Sequence, residues 1–483
     1  MSSTRFTDVS LTDGQSARWD GGMTTPMALA AATALGAAAS DVIEVASSAT
    51  FTQCVARGEA PWQRVDRIRE RCPRASLRAS LSLLTAHGKR GIDVVPTDVA
   101  TLWLREMAQR GVSEVLLLDP LMRRERMAPV LAAAASLGMV AIAALPFSAS
   151  SAHSDAGFQA QAAALVAWGA TRVMLRDEGS LLTPERLEAL LPALRRGLGG
   201  TPLDLHLRCQ TALGPMMAIE AVRLGIDGLD TCFAPLANGP SAPALGTLLK
   251  SLRMLQVGSP ASAQQLHAVR EADRLLSDMA ERHGYGPARA WAFDLAPYAH
   301  QLPGEVAAQS MKQLAEAGLM HLLHAFAAEC ARIRADLGSP PMLAPFARPI
   351  AEQALLHVRG MDRYAELRPG VRRALQQVHG AMPTPVDARL ARRVGGVPPV
   401  ASRNDAMRAA HPDADDAAWV AATLCGVEPE ALPPPAPAQG LRYLATRPED
   451  ALIAGLTRRA ATWAALLEVR GPGVSIQLQG NGG

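Results

Sequence analysis

The chain is poor in cysteine, lysine and aromatic residues, and it has no long apolar run. Aromatic residues make up 4% and charged residues 19% of its 483 positions. The 48 basic side chains are balanced by 45 acidic ones, which gives a net charge of +3. This balance excludes both a basic surface with interleaved aromatics for nucleic acid and the one-sided charge of a disordered chain. No stretch approaches the ~20 apolar residues that span a bilayer.

The six cysteines are scattered, and no two have the CxxC spacing. This pattern argues against a disulfide framework or a zinc ribbon and is typical of reduced thiols in the cytoplasm. The alanine-rich run of residues 27–40 follows several charged residues, so it predicts a buried helix and not a secretion signal. The sequence therefore predicts a soluble, cytoplasmic protein.

The first half of the chain alternates short β-rich runs with alanine- and leucine-rich helical segments. This alternation predicts an α/β fold, a (β/α)8 TIM barrel over residues 1–250, with an open doubly wound sheet as the weaker alternative. The eight predicted strands are residues 6–12, 42–46, 77–84, 115–118, 140–145, 172–175, 203–207 and 228–233.

Beyond the predicted barrel the strand signal disappears, and amphipathic helices separated by glycine and proline follow. They predict a helical domain over residues 251–430 that packs on the barrel. Residues 431–440 are rich in proline and alanine and predict a semi-rigid linker. In the remaining segment, 441–483, we expect a helix over residues 447–467 and a short strand over 468–478.

Polar side chains follow the ends of several predicted strands. In a barrel these positions converge at the carboxyl-terminal mouth, where active sites lie. Any one of them could simply cap the next helix, but the set favours a shared site. Its members are Asp13, Asp119, Arg176, Asp177, His206, Arg208, Asp230 and Thr231.

Several motifs follow one another in a recognisable order. They are FTDVSLTDGQSARWDGGM (6–23), ATFTQC (49–54), LLTP (181–184), HQLPG (300–304), DLGSPP (336–341), PTPVD (383–387) and SRNDAM (402–407). Together they resemble the carboxyltransferase subunits and domains of pyruvate carboxylase, oxaloacetate decarboxylase (alpha subunit) and transcarboxylase. The resemblance implies a dimeric, metal-containing barrel that moves a carboxyl group between carboxybiotin and a small keto acid or acyl acceptor.

The resemblance also implies a divalent metal held by an aspartate, a pair of histidines and a carbamylated lysine. Asp13 and His206 stand at the aspartate and first histidine positions. Arg208 replaces the second histidine and Arg176 replaces the lysine. Arginine stays protonated and offers no lone pair to a metal. The sequence therefore retains only two of the four ligand positions.

Electrostatics argues further against a metal. A dication ~5 Å from one guanidinium is repelled by roughly 6–7 kcal/mol at an effective dielectric of ~20, and here two guanidiniums are expected. We predict no metal at this site and no cofactor in the chain. A rebuilt metal site using His206, Cys209 and Asp13 is the less favoured alternative because Arg208 adjoins it.

Positions that would handle substrate have also changed. Thr12 replaces the arginine that would hold a keto-acid carboxylate, and a loose alignment places Thr85 at a second arginine position. Ser16 replaces a glutamine, with Gln15 one place earlier. Pro240 falls where the resemblance expects a proton-carrying threonine. The adjacent Ser241 could serve only if its loop shifted.

Two interpretations of the altered pocket remain open. In the first, the Arg176 and Arg208 guanidiniums replace the charge of the metal and hold Asp13 in an ion pair, with His206 and Asp177 nearby. In the second, the two guanidiniums form an anion site for a carboxylate, a phosphate or an acyl-CoA group, with Gln15 and Ser241 as further candidate ligands.

Three functional hypotheses follow. The favoured one is a divergent carboxyltransferase-like protein that lacks the metal-dependent transfer. It would be a pseudoenzyme or regulatory paralogue, or would perform metal-independent chemistry on a small carboxylate or acyl substrate. The alternatives are a working biotin-dependent carboxyltransferase or decarboxylase component and an assembly partner of an active homologue. None of the lysines, Lys89, Lys250 and Lys312, is flanked by methionines, so biotin would arrive on a separate carrier. A homodimer is expected.

Overall fold

The computed structural model describes residues 4–38, 41–85, 94–149, 153–287, 289–395 and 408–443, together with the backbone of 466–471 and 474–479. Eight parallel strands form a closed barrel in sequence order, which confirms the predicted (β/α)8 fold. The strands are β1 (Arg5–Asp8), β2 (Val42–Ser47), β3 (Ser76–Ser82), β4 (Glu114–Leu118), β5 (Val140–Pro146), β6 (Arg172–Asp177), β7 (Leu203–Leu207) and β8 (Gly228–Thr231).

The first strand is shorter than the predicted 6–12. Asp8 accepts hydrogen bonds at Oδ1 from the backbone N–H and the hydroxyl of Ser10, at 3.1 and 2.6 Å, which turns the chain. A single turn of π-helix, Ser10–Gly14, follows. This turn carries Asp13 over the barrel mouth. The barrel is closed by the pairing of β1 with β8, in which Asp8 lies opposite Thr231.

Helices cover the outside of the barrel, and local capping explains where several begin. Thr24 accepts from the Met27 N–H with a proline in the first turn, and Ser47 forms a capping box with Thr50. Helix α2 confirms the buried helix predicted over 27–40, although it begins at Thr25 and its described part ends before residue 39. These helices are α1 (Gln15–Arg18), α2 (Thr25–Ala37), α3 (Ser48–Ala56), α4 (Pro61–Arg71), α5 (Thr97–Gln109), α6 (Arg124–Ser136), α7 (Asp155–Ala167), α8 (Pro184–Leu198), α9 (Gly214–Arg223) and α10 (Leu245–Leu255).

The rest of the described chain is helical, as predicted, apart from two short strands. The α-helices are α11 (Ala263–Arg282), α12 (Ala296–His300), α13 (Gly304–Glu316), α14 (Leu323–Asp336), α15 (Ala347–Val358), α16 (Pro369–Leu375), α17 (Ala388–Val394) and α18 (Asp416–Cys425). Single turns of 3-10 helix lie at Met320–Leu322, Pro429–Ala431 and Ala438–Leu441. The helices from α13 to α17 enclose a second core, which includes Leu314, Phe326, Ile333, Ile350 and Val371.

Two helices beyond residue 250 pack with the barrel. Val269 and Leu276 of α11 and Trp419 of α18 belong to the core cluster of the barrel. The proline- and alanine-rich segment 431–440 also lies on the barrel surface. Gln63 of α4 donates to the Ala436 carbonyl and accepts from the Ala436 N–H, at 2.7 and 2.8 Å.

The end of the chain departs from the predicted single strand over 468–478. Strands β9 (Leu466–Gly471) and β10 (Val474–Gln479) pair in antiparallel fashion, and the break coincides with the sequence Gly-Pro-Gly at 471–473. The helix predicted over 447–467 lies outside the described residues except where β9 begins. The SRNDAM motif (402–407) also lies outside them. None of the described helices is long and apolar enough to cross a membrane.

Candidate active site

A cavity of about 310 Å³ opens at the carboxyl-terminal mouth of the barrel. The loop after β1 supplies Asp13, strand β7 supplies His206, and the residue that follows β7 is Arg208. Glu178, which follows β6, is not part of this lining, but its Oε2 lies 3.9 Å from His206 Nε2. Helix α13 adds Glu305 in its first turn. The active-site position expected of this fold is thus occupied by charged side chains from strands and from the helical domain.

Arg208 is the centre of an ion-pair cluster. Its Nη2 donates to Asp13 Oδ1 at 2.7 Å and its Nε donates to Glu178 Oε2 at 2.6 Å. Its Nη1 donates to the Pro240 carbonyl at 2.7 Å, and Glu305 Oε2 lies 3.2 Å from Nη2. All three guanidinium nitrogens are therefore engaged. Arg208 is buried, so these partners replace the water it loses.

Arg176 has one principal partner. Its Nε donates to Glu178 Oε1 at 2.8 Å, and its Nη2 donates to the same oxygen. Its Nη1 faces the Met174 sulfur at 3.9 Å. Glu178 thus lies between two guanidiniums, each bound to a different carboxylate oxygen.

A second network lies beneath the first and orients His206. Arg78 donates to both oxygens of Asp230, at 2.8 and 2.9 Å, and to Glu44 Oε2 at 2.7 Å. His206 Nδ1 lies 2.9 Å from Asp230 Oδ2. Because an ionised carboxylate can only accept, Nδ1 carries the hydrogen and Nε2 faces the cavity.

The pKa shifts follow these charges. Burial alone would raise the pKa of Glu178, but Arg176 and Arg208 together hold it well below its usual range. Burial would likewise raise the pKa of Asp230, and Arg78 and His206 instead lower it. Burial raises the pKa of Glu305 despite the nearby Arg208. Both Asp230 and Glu178 are consequently ionised at neutral pH.

Three atoms at the mouth have no hydrogen-bond partner among the described residues. They are Asp13 Oδ2, His206 Nε2 and Glu305 Oε2. His206 Nε2 lies 4.0 Å from Asp13 Oδ2 and 3.9 Å from Glu178 Oε2. These three polar atoms are buried and lack the hydrogen bond that would compensate for their desolvation.

The donor set can be compared with the metal that the resemblance implies. Asp13, Glu178 and His206 bring candidate ligand atoms within 4.8 Å of one another. However, the Arg208 guanidinium already donates to both carboxylates. A divalent ion would have to displace this cation from the buried Glu178 and the half-buried Asp13 before it could share their oxygens. As arranged, the Arg208 guanidinium occupies carboxylate oxygens that a divalent metal would need.

Five of the predicted strand-end residues lie together as expected, because Asp13, Arg176, His206, Arg208 and Asp230 all line the cavity. Asp177 does not line it. Its carboxylate accepts from the Leu181 and Leu182 N–H groups at 2.9 and 2.8 Å, which makes it a turn-stabilising residue.

Gln15 and Ser241 also lie outside the cavity lining. Gln15 is buried and its Nε2 donates to the side-chain Oε1 of Gln53 at 2.6 Å, and Gln53 itself reaches the cavity. Ser241 is buried with its hydroxyl 3.5 Å from the Cys232 sulfur. Neither side chain is placed to bind a ligand directly.

The altered substrate positions have structural roles. Thr12 donates to Glu44 Oε1 at 2.7 Å and Ser16 donates to the Thr12 carbonyl at 2.8 Å; both line the cavity. Thr85 is buried beyond β3 and outside the cavity lining. Pro240 contributes its carbonyl to Arg208.

None of the six cysteines lines the cavity. All six are buried free thiols. Burial raises the pKa of Cys209 and of Cys232. Because Cys209 does not line the cavity, it is not placed to complete the rebuilt metal site considered above.

The sequence analysis missed Glu178, although strand periodicity could have identified it. Side chains alternate along a strand, so Arg176 and Glu178 share one face while Asp177 points away. Glu44 and Arg78 were missed because they lie inside apolar strands, where no strand-end signal marks them. Glu305, Gln309 and Arg348 reach the cavity from the helical domain, which strand ends cannot reveal.

No established family profile matches the chain. Among curated proteins it is 24% identical over 355 residues to a pyruvate carboxylase subunit from Methanocaldococcus jannaschii, covering 73% of this chain and 61% of that protein. It is 24% identical over 393 residues to the 2-oxoglutarate carboxylase large subunit of Hydrogenobacter thermophilus, covering 81% and 59%. It is 22% identical over 366 residues to the methylmalonyl-CoA carboxyltransferase 5S subunit of Propionibacterium freudenreichii subsp. shermanii, covering 75% and 71%.

Solved structures give the same fold. The carboxyl transferase domain of Rhizobium etli pyruvate carboxylase superposes with a TM-score of 0.77 at 20% identity, covering 99% of this chain and 84% of that one. The complete enzyme from the same organism gives a TM-score of 0.77 at 20% identity, covering 98% and 49%. The chain spans about three fifths of the length of the first two curated relatives. The resemblance inferred from the motifs is confirmed.

Proposed function

Because this chain is a homologue of carboxylase and carboxyltransferase subunits, we propose that it is a metal-independent relative that binds a small acid at the barrel mouth. The metal-dependent carboxyl transfer implied by the motif resemblance is not the reaction that we propose for it. The observation that carries this proposal is the Arg208 guanidinium, which binds both Asp13 and Glu178 where a metal would need them.

Arg208 supplies a fixed positive charge in place of a mobile ion. A guanidinium is never deprotonated near neutral pH, and its three engaged nitrogens hold it in one orientation. Unlike a metal, it has no empty coordination position with which to polarise a keto oxygen. A pocket built around Arg208 can therefore bind and orient an acid, but it lacks the Lewis acid on which the family reaction depends.

His206 is the residue equipped for chemistry on the bound acid. Asp230 fixes its ring through Nδ1, so Nε2 can accept a proton from a ligand O–H or N–H group. Asp230 is itself held by Arg78, which keeps it ionised. This arrangement supports metal-independent acid–base chemistry at the floor of the cavity.

The proposed partners follow from the family. Relatives of this chain are named as subunits of larger enzymes. We propose that it forms a homodimer and that it associates with a homologous active subunit or a separate biotin carrier in the cytoplasm. Co-purification with a biotinylated protein on streptavidin would support the association, and a monodisperse monomer by light scattering would contradict the dimer.

Metal analysis tests the central claim. The full chain, purified without chelators, should hold far less than one zinc, manganese or cobalt ion per molecule by mass spectrometry. The double change Arg176→Lys with Arg208→His restores the expected ligand types, so the variant should gain metal. Arg176→Lys alone is the matched control, because Arg208 would still bind both carboxylates. About one ion per wild-type chain, lost on Asp13→Asn, would overturn the proposal.

A second candidate function is a working transferase that uses a different ligand set. Asp13, Glu178 and His206 lie close enough to share an ion if Arg208 turned away. Glu178 would then supply the carboxylate that a carbamylated lysine otherwise provides. The same measurement separates the two candidates, because this one requires bound metal in the wild type and loss of metal in Glu178→Gln.

A further inference from the structure

The exposed side chain of Arg348 stands apart from the other cations of the cavity. Arg176 and Arg208 are both buried and neutralised by carboxylates. Arg348, in the first turn of α15, also lines the cavity, yet no described residue forms an ion pair or hydrogen bond with its guanidinium. Among the described residues that line the cavity, Arg348 is therefore the cation that is available to bind an anion.

The floor of the cavity offers acceptors. Asp13 Oδ2 and His206 Nε2 lie 4.0 Å apart without partners, and His206 is fully buried. When the ring is neutral, the hydrogen bond from Nδ1 to Asp230 leaves Nε2 as an acceptor on the cavity side. A buried acceptor without a donor is destabilising, so a ligand that supplies the donor is favoured.

The excess of negative charge at the cavity mouth also favours a ligand group that donates a hydrogen bond beside Asp13. Around the mouth, the carboxylates of Asp13, Glu44, Glu178, Asp230 and Glu305 outnumber the buried guanidiniums of Arg78, Arg176 and Arg208. A keto oxygen placed beside Asp13 Oδ2 would meet a second electron-rich atom. A hydroxyl or ammonium group would instead donate to it and to His206.

From this geometry we propose that the ligand is a 2-hydroxy or 2-amino acid, bound by Arg348 at its carboxylate and by Asp13 and His206 at its hydroxyl or ammonium group. This inference rests on the proposed metal-independent site and names its substrate class. The cavity of about 310 Å³ is at the small end of ligand pockets, which suits a short acid. In the proposed site the protein therefore accepts a hydrogen bond from the substituent on the second carbon, whereas a keto acid would need a donor at that position.

Calorimetric titration with matched acids tests the proposal on the full, chelator-treated chain. The probes are L-lactate, L-alanine and pyruvate, and L-malate, L-aspartate and oxaloacetate, which differ within each set only at the second carbon. We expect the hydroxy or amino member of at least one set to bind ten-fold or more tightly than the keto member. Equal or tighter binding of the keto acids would overturn the proposal.

Two variants separate the roles of the residues. Arg348→Gln should weaken binding by about 10- to 100-fold, since a charged hydrogen bond contributes ~1.5–3 kcal/mol. Arg359→Gln, an exposed arginine at the end of the same helix and outside the cavity, is the matched control and should bind normally. Asp13→Asn can present an amide N–H, so it should reduce the preference against the keto acids.

The outcomes also separate this inference from the proposed function. Acid binding that ignores the second carbon or survives Arg348→Gln would contradict the ligand assignment alone. Absence of binding by every probe would contradict both the assignment and the proposed acid site. Keto-acid binding that requires added metal would do the same and would favour the second candidate function.

Discussion

Arg208 holds the mouth together by pairing with two carboxylates, the buried Glu178 and the half-buried Asp13. Replacing it by glutamine would leave Asp13 and Glu178 close to each other without its charge. We expect Arg208→Gln to lower the free energy of unfolding by about 3–5 kcal/mol, the usual cost of breaking one side of a buried ion pair. The measurement is the urea midpoint and slope at pH 7.

A second substitution distinguishes lost pairing from lost packing. Glu178→Gln removes one of the stranded carboxylates, so the double variant Arg208→Gln with Glu178→Gln should cost less than the two single changes added together. Simple additivity of the two costs would show that Arg208 stabilises the fold through its bulk, and the ion-pair account would be wrong.

Asp8 introduces a pH dependence beneath the site. Burial raises its pKa to about 7, while its hydrogen bonds from Ser10 act in the opposite direction. The folded state therefore keeps a proton that the unfolded chain releases near pH 4. This stabilising contribution is complete below about pH 4 and is lost as the pH rises through about 7.

Asp8→Asn should remove the decrease in stability between about pH 4 and 7, because asparagine cannot ionise. Relative to wild type, the variant should become more stable by about 3 kcal/mol as the pH is raised from 5 to 8, because about two pH units of this range lie below the folded-state pKa of about 7 and each contributes ~1.4 kcal/mol. Thermal unfolding at several pH values measures this difference. Parallel pH profiles for the two proteins would contradict the assignment to Asp8.

For individual residues, the sequence predicted the site correctly where a charged or polar side chain follows the end of a strand. Asp13, Arg176, His206 and Arg208 were all predicted to meet, and they do. Their partners could not be predicted in the same way. Whether an arginine binds a ligand or a carboxylate depends on the position of Glu178, which only the three-dimensional arrangement establishes.

Among the secondary-structure elements, α13 connects the helical domain to the site. Its first residue, Gly304, lies so close to the β8 loop that an added Cβ would be 2.1 Å from the Pro240 carbonyl oxygen. The same carbonyl accepts from Arg208, and the next residue, Glu305, lies against that guanidinium. Close approach of backbone to backbone at Gly304 therefore places a carboxylate at the mouth.

Gly304→Ala should displace the start of α13 and disturb the Arg208 cluster. We expect a loss of stability of about 1–3 kcal/mol, comparable to overpacking a core, together with weaker acid binding. Gly286→Ala is the control, since an added Cβ there meets no atom within 4 Å. Unchanged stability and binding in Gly304→Ala would mean that α13 can shift without affecting the site.

The alternation of strands and helices was predictable because each element has its own periodicity, whereas the turn after β1 was not. Apolar residues continue through Leu11, so the pattern alone extends the strand past Asp8. The competing interaction is local: the Asp8 carboxylate binds the Ser10 backbone and ends the strand. Short polar residues can therefore override a hydrophobic pattern at a strand end.

In the whole molecule, helices that follow one another in the sequence do not all pack into the same core. The helical segment after residue 250 reads as one domain, yet α11 and α18 pack with the barrel while the helices between them form a second core. Periodicity shows that a helix has an apolar face but does not show which surface covers it. That choice depends on long-range contacts such as the hydrogen bond from Trp62 Nε1 to the Ala417 carbonyl, at 2.8 Å.

Trp419 provides a test of whether α18 is part of the barrel. It is 1% exposed and belongs to the same core cluster as Phe51 and Trp103. Trp419→Ala should cost about 3–5 kcal/mol, as expected for truncating a large buried side chain. If α18 stabilises the barrel, hydrogen exchange in α5 should also accelerate in this variant, because α18 packs against that helix.

The exposed Phe293 is the matched aromatic control. Its side chain is 59% exposed, so Phe293→Ala should change stability by no more than about 0.5 kcal/mol and leave exchange in α5 unaltered. Faster exchange confined to residues 416–441 in Trp419→Ala, with α5 protected as in the wild type, would show that the segment unfolds on its own. The barrel would then be stable without the end of the chain, and the loss of Trp419 would not destabilise the candidate active site.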